Sequence, residues 1–253
     1  MFAQERQESI VNQVNMEGSV RVKDLSVKFA VTEDCIRKDL AILEKKGLLK
    51  KAYGGAVSIR QNPHMYNSEE RKNTPNDERV MIAQKAMTLI HEQDTIFLDV
   101  SLTSLEIAKL LRESSLQITV MTNMIEVLNI LNQCSHISII FIGGQLNQER
   151  DGFWGSLSVE MVKSFKLDKA FLGVVGVDTV TGELSTYHVE DGFMKAAIIQ
   201  QTQMNYLLCE ERKLKEDGSY VFASLNDVSG LILSKDVHTK MKATLEDYGL
   251  VII

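Results

Sequence analysis

The sequence predicts an α/β protein in two parts, an N-terminal winged helix-turn-helix and a C-terminal doubly wound α/β domain. Three observations carry this. The first sixty residues follow the order helix, helix, turn, helix, hairpin. Both prolines of the chain fall in one polar stretch, residues 60–79. Beyond it, short apolar runs alternate with helical patterns to the last residue. A length of 253 residues suits two unequal domains or one large one. The expected boundaries are 1–59 for the first domain, 60–78 for a linker and 79–253 for the second.

In the first domain, Ile10, Val11 and Val14 share one face of a helix over residues 4–15. Val22, Leu25, Val27 and Phe29 mark a short second helix over 21–29. A third starts at Thr32, a good N-cap, and carries Ile36, Leu40 and Leu43 at helical spacing as far as Lys46. Gly47 supplies a stop at the position after the cap. The segments LLKKA and GGAV then pair as short strands, with Tyr53-Gly54-Gly55 at or near the turn. The linker RQNPHMYNSEERKNTPNDER has almost no apolar periodicity, and its two prolines disfavour continuous regular structure. It could instead be an extended arm anchored by Met65 and Tyr66.

After the linker, strands are expected at 95–99, 117–122, 137–142, 169–176, 206–209, 230–234 and 250–253. Helices are expected at 79–92, 103–113, 124–133, 156–165, 190–203 and 238–247. Several of the strands are unbroken apolar runs, the pattern of a parallel sheet covered on both faces. A ligand of such a sheet sits beyond the carboxyl ends of its strands.

Charge divides unevenly along the chain. The net value of −6 hides 11 Lys+Arg against 8 Asp+Glu in residues 1–60, and 17 against 26 in the remainder. Residues 35–60 alone hold seven basic groups and two acidic ones, the electrostatic footprint of nucleic-acid contact. The apolar share of 44% is enough for a substantial core, yet no apolar run approaches the ~20 residues of a membrane span. The first ten residues do not resemble a secretory signal. Cys35, Cys134 and Cys209 are scattered without CxxC spacing, which fits a reducing compartment and gives no structural zinc site. A cytoplasmic protein without metal or cofactor is expected.

In a helix-turn-helix the third helix enters the major groove with its N-terminal residues at base edges, and nearby basic groups hold phosphates. Here Arg37 and Lys38 point outward and suit phosphate or guanine, with Thr32, Glu33 and Cys35 beside them at the helix start. Lys50, Lys51 and Tyr53 on the hairpin suit the flanking backbone. The plain alternative is a solvated amphipathic helix with ordinary surface charge. Glu33 and Asp34 favour the helix dipole but repel phosphates. Their side chains must avoid the backbone or accept a hydrogen bond from cytosine.

The segment ERQESIVNQV…GSVRVKDLSVKFAVTEDCIRKDLAILEKKGLLKKAYGGAV resembles the DNA-binding region of the DeoR family of bacterial sugar-metabolism regulators. Glu5, Arg6, Ile36, Arg37, Asp39, Leu40, Leu43, Glu44, Gly54, Gly55 and Ala56 match that family's pattern. Thr32 stands for its usual Ser, which leaves capping intact, and Cys35 for its usual Thr, which removes a hydroxyl near the DNA. The stretches TIFLDVSLTSLEIAKLL, ITVMTN, FIGGQL, FWG, DKAFLGVVGVD and ST…ED…K are similar, in order, to the family's sensor domain. That domain resembles ribose-5-phosphate isomerase and binds a phosphorylated sugar intermediate.

The resemblance implies an effector site drawn from Asp99, Ser101, Thr103, Thr122, Asn123, Gly143, Gly144, Asp168, Lys169, Lys195 and Lys213. Two loops, Asp99–Ser104 and Thr122–Asn123, lead from strands into helices and offer free N–H groups to an anion. Asp99 could equally cap its own loop, Asp168 pair with Lys169, and the glycines serve turns and packing. Where the family loop has Asp-x-Gly-Thr-Thr, this chain has Ser101 and Leu102 in place of the Gly and first Thr. Glu210-Glu211-Arg212-Lys213 replaces the usual Asp-x-Ser-Lys. These departures lead us to expect an altered effector or a weakened response.

An enzyme fits poorly. The isomerase relatives carry an acidic motif on the central strand, whereas Gly173-Val174-Val175-Gly176-Val177-Asp178 leaves only Asp178. No Walker, GxGxxG or HExxH motif is present, and His136 and His188 form no triad-like pattern. The expectation is a sequence-specific DNA-binding regulator, a repressor of carbohydrate use controlled by a sugar phosphate. The alternatives are an isomerase-like enzyme with a fused DNA-binding domain, and a pure scaffold. The expected partners are an operator in double-stranded DNA, a small phosphorylated effector and further copies of the chain as a homodimer or homotetramer, with no membrane.

Overall fold

The computed structural model describes residues 3–17, 19–57, 76–149, 151–236 and 239–253. The chain divides into two compact units, Met1–Asn62 and Pro63–Ile253. Most of the expected linker, including Pro63, Met65, Tyr66 and Pro75, lies outside the described residues. Its far end belongs to a helix: Asn76 caps Asp77–Met87 by accepting from the Glu78 N–H at 2.9 Å.

The first unit has helices α1 (Ala3–Glu17), α2 (Val22–Phe29) and α3 (Glu33–Lys45), with strands β1 (Ser19–Arg21), β2 (Lys50–Ala52) and β3 (Gly55–Val57). Ile10, Val14, Leu25, Ile36, Leu40, Leu43 and Leu49 close its core. Thr32 caps α3 through the Cys35 N–H, and Gly47, at φ 71°, ends that helix. The three-residue β1 was not expected. It pairs antiparallel with β3, giving the order β1-β3-β2. A Cβ on Gly55 would lie 1.9 Å from the Val20 carbonyl oxygen, so this close pairing requires glycine there. Beneath α3, Asp39 accepts from Arg6 Nε at 2.6 Å and from Gln7 Nε2 at 2.9 Å, joining α1 to α3 through a buried ion pair.

The second unit is built on seven parallel strands: β4 (Thr95–Leu98), β5 (Ile118–Thr122), β6 (Ile137–Phe141), β9 (Leu167–Gly173), β12 (Thr202–Cys209), β14 (Gly230–Leu233) and β15 (Val251–Ile252). Their spatial order is β15-β14-β12-β9-β4-β5-β6. Side chains alternate across the sheet. Ile96 and Leu98 pack with α4 (Asp77–Met87), α5 (Leu102–Glu113) and α6 (Ile125–Leu131). Phe97, Ala170 and Leu172 face α7 (Ser156–Lys163), α8 (Val189–Gln201) and α9 (Thr239–Glu246). This is the expected doubly wound arrangement, with each face covered by helices.

Differences from expectation lie at short or polar elements. Strand β12 begins at Thr202, directly after α8, and not at residue 206. Two small antiparallel additions were missed: β7 (Gln145–Leu146) with β8 (Phe153–Trp154), and β10 (Gly176–Val177) with β11 (Glu183–Thr186) and β13 (Tyr220–Ser224). From β4 the chain winds outward to β5 and β6. From β9 it winds the other way, to β12, β14 and β15. The two directions part between β4 and β9, the switch point beyond whose carboxyl ends an open parallel sheet of this kind forms its ligand crevice.

Asp39→Ala would strand the buried Arg6 guanidinium, at a cost of roughly 3 kcal/mol. Amide exchange should show the first unit losing protection while the second keeps its own.

Candidate functional site

The outer face of α3 is basic at its middle and acidic at its tip. Arg37 is 55% exposed, and its guanidinium donates to Glu33 Oε2 at 2.6 Å and to Asp34 Oδ1 at 2.7 Å. Lys38 is exposed beside it. Across the hairpin, Lys50 and Lys51 are exposed on β2, and the Lys51 N–H is fixed by Glu44 Oε1 at 2.8 Å. Tyr53 projects fully into solvent at the turn. Thr32 serves as the cap described above. Cys35 is half-buried, with Arg6 Nη2 donating to its sulfur at 3.3 Å. Every side chain expected at DNA is therefore on α3 or the hairpin, and those of Arg37, Lys38, Lys50, Lys51 and Tyr53 are solvent-facing.

In the second unit the crevice between β4 and β9 is built around a buried charge cluster. Asp99, 2% exposed, follows β4. Its Oδ1 accepts from Ser104 Oγ at 2.9 Å, and its Oδ2 accepts from the Gly173 N–H at 2.8 Å, at the end of β9. Lys195 on α8, 4% exposed, lies 3.1 Å from Asp99 Oδ2 and donates to Asp191 Oδ1 at 2.5 Å. Thr186 Oγ1 holds the other Asp191 oxygen at 2.7 Å. Burial alone would lower the Lys195 pKa, but the Asp191 and Asp99 carboxylates outweigh it and raise the value above that of an ordinary lysine. The lysine is a fixed cation between two anions.

Ser101 caps α5 by accepting from the Ser104 N–H at 3.2 Å. A Cβ on Gly173 would come within 2.5 Å of Ser101 Cβ, so the serine loop and β9 are in direct contact. Thr103 is buried in the first turn of α5. Thr122 ties neighbouring strands: its hydroxyl donates to the Leu98 carbonyl at 2.7 Å and accepts from the Met124 N–H at 3.1 Å. Asn123, 2% exposed, donates through Nδ2 to the Phe153 carbonyl at 2.7 Å, while its Oδ1 is buried without a hydrogen-bond donor. An unmet buried acceptor is costly and suits a hydroxyl or water. Gly143 accepts from Ser158 Oγ at 2.7 Å, and Gly144 (φ 156°) approaches Ser158 and Trp154 too closely for any Cβ.

Two expected residues are elsewhere. Asp168 and Lys169 start β9, at the amino end of the sheet. Asp168 Oδ2 accepts from the Thr95 N–H at 2.8 Å, and Lys169 Nζ pairs with Asp94 Oδ2 at 2.5 Å. In a parallel sheet this end lies opposite the crevice, so the structure gives both residues strand-joining contacts. Lys213 lies beyond β12, 3.4 Å from the buried Glu210.

Sequence reasoning did not select Asp191, Ser104 or Glu210. Asp191 could have been found from its i,i+4 spacing to Lys195 on a helix. Glu210 holds Asn76 Nδ2 at 2.8 Å and is paired with Arg79, Arg212 and Lys213, all between 3.4 and 3.5 Å. It thereby joins the start of α4 to the loop after β12. Burial pushes its carboxyl up, but Lys213, Arg212 and Arg79 together hold it down, from the ordinary 4.5 to about 2.

Other chemistry is tied into structure. Asp178 Oδ1 accepts from the Val180 and Thr181 N–H groups at 2.8 and 3.0 Å, which organises a turn. Cys209 is buried, and that burial pushes its thiol up to about 12. No group of three or more metal-ligating side chains occurs among the described residues. None of the described helices is long and apolar enough to cross a membrane.

A winged helix with a basic outer face, on the same chain as a parallel α/β domain with a charged crevice, defines a ligand-responsive DNA-binding regulator. Family models agree: the DeoR-like helix-turn-helix domain matches residues 6–62, and the DeoR C terminal sensor domain matches residues 75–235. The chain belongs to the DeoR family of transcriptional regulators. It is 34% identical to the HTH-type transcriptional regulator YulB of Bacillus subtilis, over 98% of this chain and 95% of that one. Identity is 30% to the transcriptional repressor GlcR of Bacillus subtilis, over 93% and 90% of the two chains. It is also 30% to a lactose phosphotransferase system repressor of Staphylococcus epidermidis, over 98% of each. Among solved structures, ribose 5-phosphate isomerase A of Methanocaldococcus jannaschii matches 54% of this chain and 53% of its own, with 17% identity and a TM-score of 0.40.

An acid whose folded pKa is depressed stabilises the fold above its unfolded value and loses that contribution as pH falls through the folded one. For Glu210 the window runs from about 4.5 down to about 2. Glu210→Gln should lower the melting temperature most above pH 4.5, and the gap from wild type should close toward pH 2.

Proposed function

We propose that this protein represses a carbohydrate-utilisation operon and is released from its operator by a phosphorylated sugar bound in the crevice between β4 and β9. The observation that carries the DNA half is the solvent-facing group of Arg37, Lys38, Lys50, Lys51 and Tyr53 on one small unit of an acidic chain. Its third helix would lie in the major groove, with the hairpin against the flanking phosphates. GlcR and the lactose phosphotransferase system repressor are repressors by name, which favours that sign here.

The crevice supports the effector half. The first turn of α5 leaves amide N–H groups without intrahelical partners, beyond the carboxyl end of β4, where a phosphate is favoured. The unmet Asn123 Oδ1 is buried at the same end of the sheet and gains a hydroxyl donor where a bound sugar opens the loops over it. Thr103 lies in that same first turn, Gly143-Gly144 follow β6, and Lys213 brings a cation beyond β12. Lys195 is committed to Asp99 and Asp191, so its charge is largely spent within the protein. With Leu102 in place of a hydroxyl residue, we infer an effector preference or affinity that differs from those of relatives with the common loop. Paired half-sites call for a homodimer, or a homotetramer of two such pairs.

A salt titration with Arg37→Ala tests the DNA half. On a duplex selected by the wild-type protein from a randomised pool, the variant should lose affinity by roughly 1–3 kcal/mol if Arg37 reads guanine. The wild-type affinity should also fall steeply with salt. Unchanged and salt-independent affinity would show that α3 is not the reading helix. For the effector half, the single tryptophan, Trp154, lies on the strand that receives the Asn123 amide bond. Its fluorescence should change on titration with a sugar phosphate. Ordinary micromolar binding of an effector common in the family, measured by calorimetry, would contradict the altered preference.

A further inference from the structure

The two carboxylates on Arg37 raise a question the DNA-binding reading leaves open. A recognition helix gains affinity from cations, yet this one spends its central arginine on two acids of its own first turn. The spacing favours the contact. Positions 33 and 34 lie four and three residues before 37, and an acid N-terminal to a cation at these separations is the favourable orientation on a helix. All three side chains are exposed, at 55% for Arg37, 45% for Glu33 and 81% for Asp34, so the pairs are weak and reversible. Thr32 already caps the helix through the Cys35 N–H, and the acids are not needed for that bond.

We infer that Glu33 and Asp34 are specificity-determining residues that act through Arg37. By holding the guanidinium, they withhold it from phosphates on non-cognate DNA. The inference rests on the assignment of α3 as the reading helix. A phosphate offers Arg37 no more than the carboxylates do, and the carboxylates would remain close by and repel it. A guanine edge offers two acceptors, O6 and N7, in the planar geometry of the guanidinium fork. Guanine is neutral, so the carboxylates do not repel it, and it can be bound through the second hydrogens of Nη1 and Nη2 while the first remain on Asp34 and Glu33. The clamp therefore removes one phosphate contact from every non-specific complex and leaves the specific contact available. Among the described residues no acid is paired with the side chain of Lys38, Lys50 or Lys51, and these lysines supply the sequence-independent attraction.

The test compares wild type, Glu33→Gln/Asp34→Asn and the same double variant with Arg37→Ala. Each is titrated against the tightest duplex that wild type selects from a randomised pool, and against a scrambled duplex of equal composition, at several salt concentrations. Asp24→Asn, at an exposed acid of α2, gives the effect per negative charge removed elsewhere on the first unit, to be doubled for comparison with the two-charge change. The double variant should bind scrambled DNA about three- to tenfold more tightly, and its salt slope should steepen by about one phosphate contact. Affinity for the selected duplex should change less than about twofold, so discrimination falls. Adding Arg37→Ala should erase the gain on scrambled DNA.

Equal gains on both duplexes would overturn the inference, as would a gain that persists without Arg37, because the acids would then act by general repulsion. If Arg37→Ala alone leaves the selected duplex bound as before, the assignment of the reading helix fails first, and the inference falls with it.

Discussion

The second unit depends on one buried cation. Lys195 reaches from α8 to Asp99 after β4, and Asp99 in turn holds the amide at the end of β9 and the Ser104 hydroxyl on α5. Four elements are thereby fixed at the place where the winding of the sheet changes direction. Removing any one charge would leave the others buried without compensation, which costs far more than the cluster gains. The fold thus places an expensive polar assembly at the one position where an open parallel sheet leaves room for a ligand. The same commitment limits what the crevice can do. A lysine already balanced by two carboxylates is a weak attractor for a phosphate, so the proposed reading gives that work to helix amides and hydroxyls.

A second hub, Glu210, gives the crevice side of the sheet a physical link to the start of the unit. It binds Asn76, which caps α4, and it pairs with Lys213 in the loop after β12. Any ligand that draws on Lys213 alters the charge balance around Glu210 and so the hold on Asn76. That is a contiguous network of the kind that can bias two arrangements of a protein, provided the ligand distinguishes them energetically.

Much of this was legible in the sequence, for reasons that can be named. Seven apolar runs became seven parallel strands because a sheet covered on both faces must be apolar on both. Thr32, Gly47 and the hairpin glycines were readable as caps and turns. Strand β1 was not, since three residues with one buried side chain carry no periodicity. The start of β12 was hidden because Thr202, Gln203 and Met204 follow α8 without a break and are polar or exposed, so no apolar run marks the strand before Tyr206. Asp168 and Lys169 were drawn into the effector site by resemblance, although their place at the start of a strand already put them at the wrong end of the sheet. Asp191 was quoted within a matching stretch, and its helical spacing from Lys195 was the overlooked signal.

The central claim is that one equilibrium links the crevice to the operator. It is tested most directly by measuring operator affinity with and without a saturating sugar phosphate, and sugar-phosphate affinity with and without operator DNA. The account predicts that each ligand weakens the other by the same factor, as linkage between binding sites requires. A sugar phosphate that binds, as read by Trp154 fluorescence, and leaves operator affinity unchanged would contradict it.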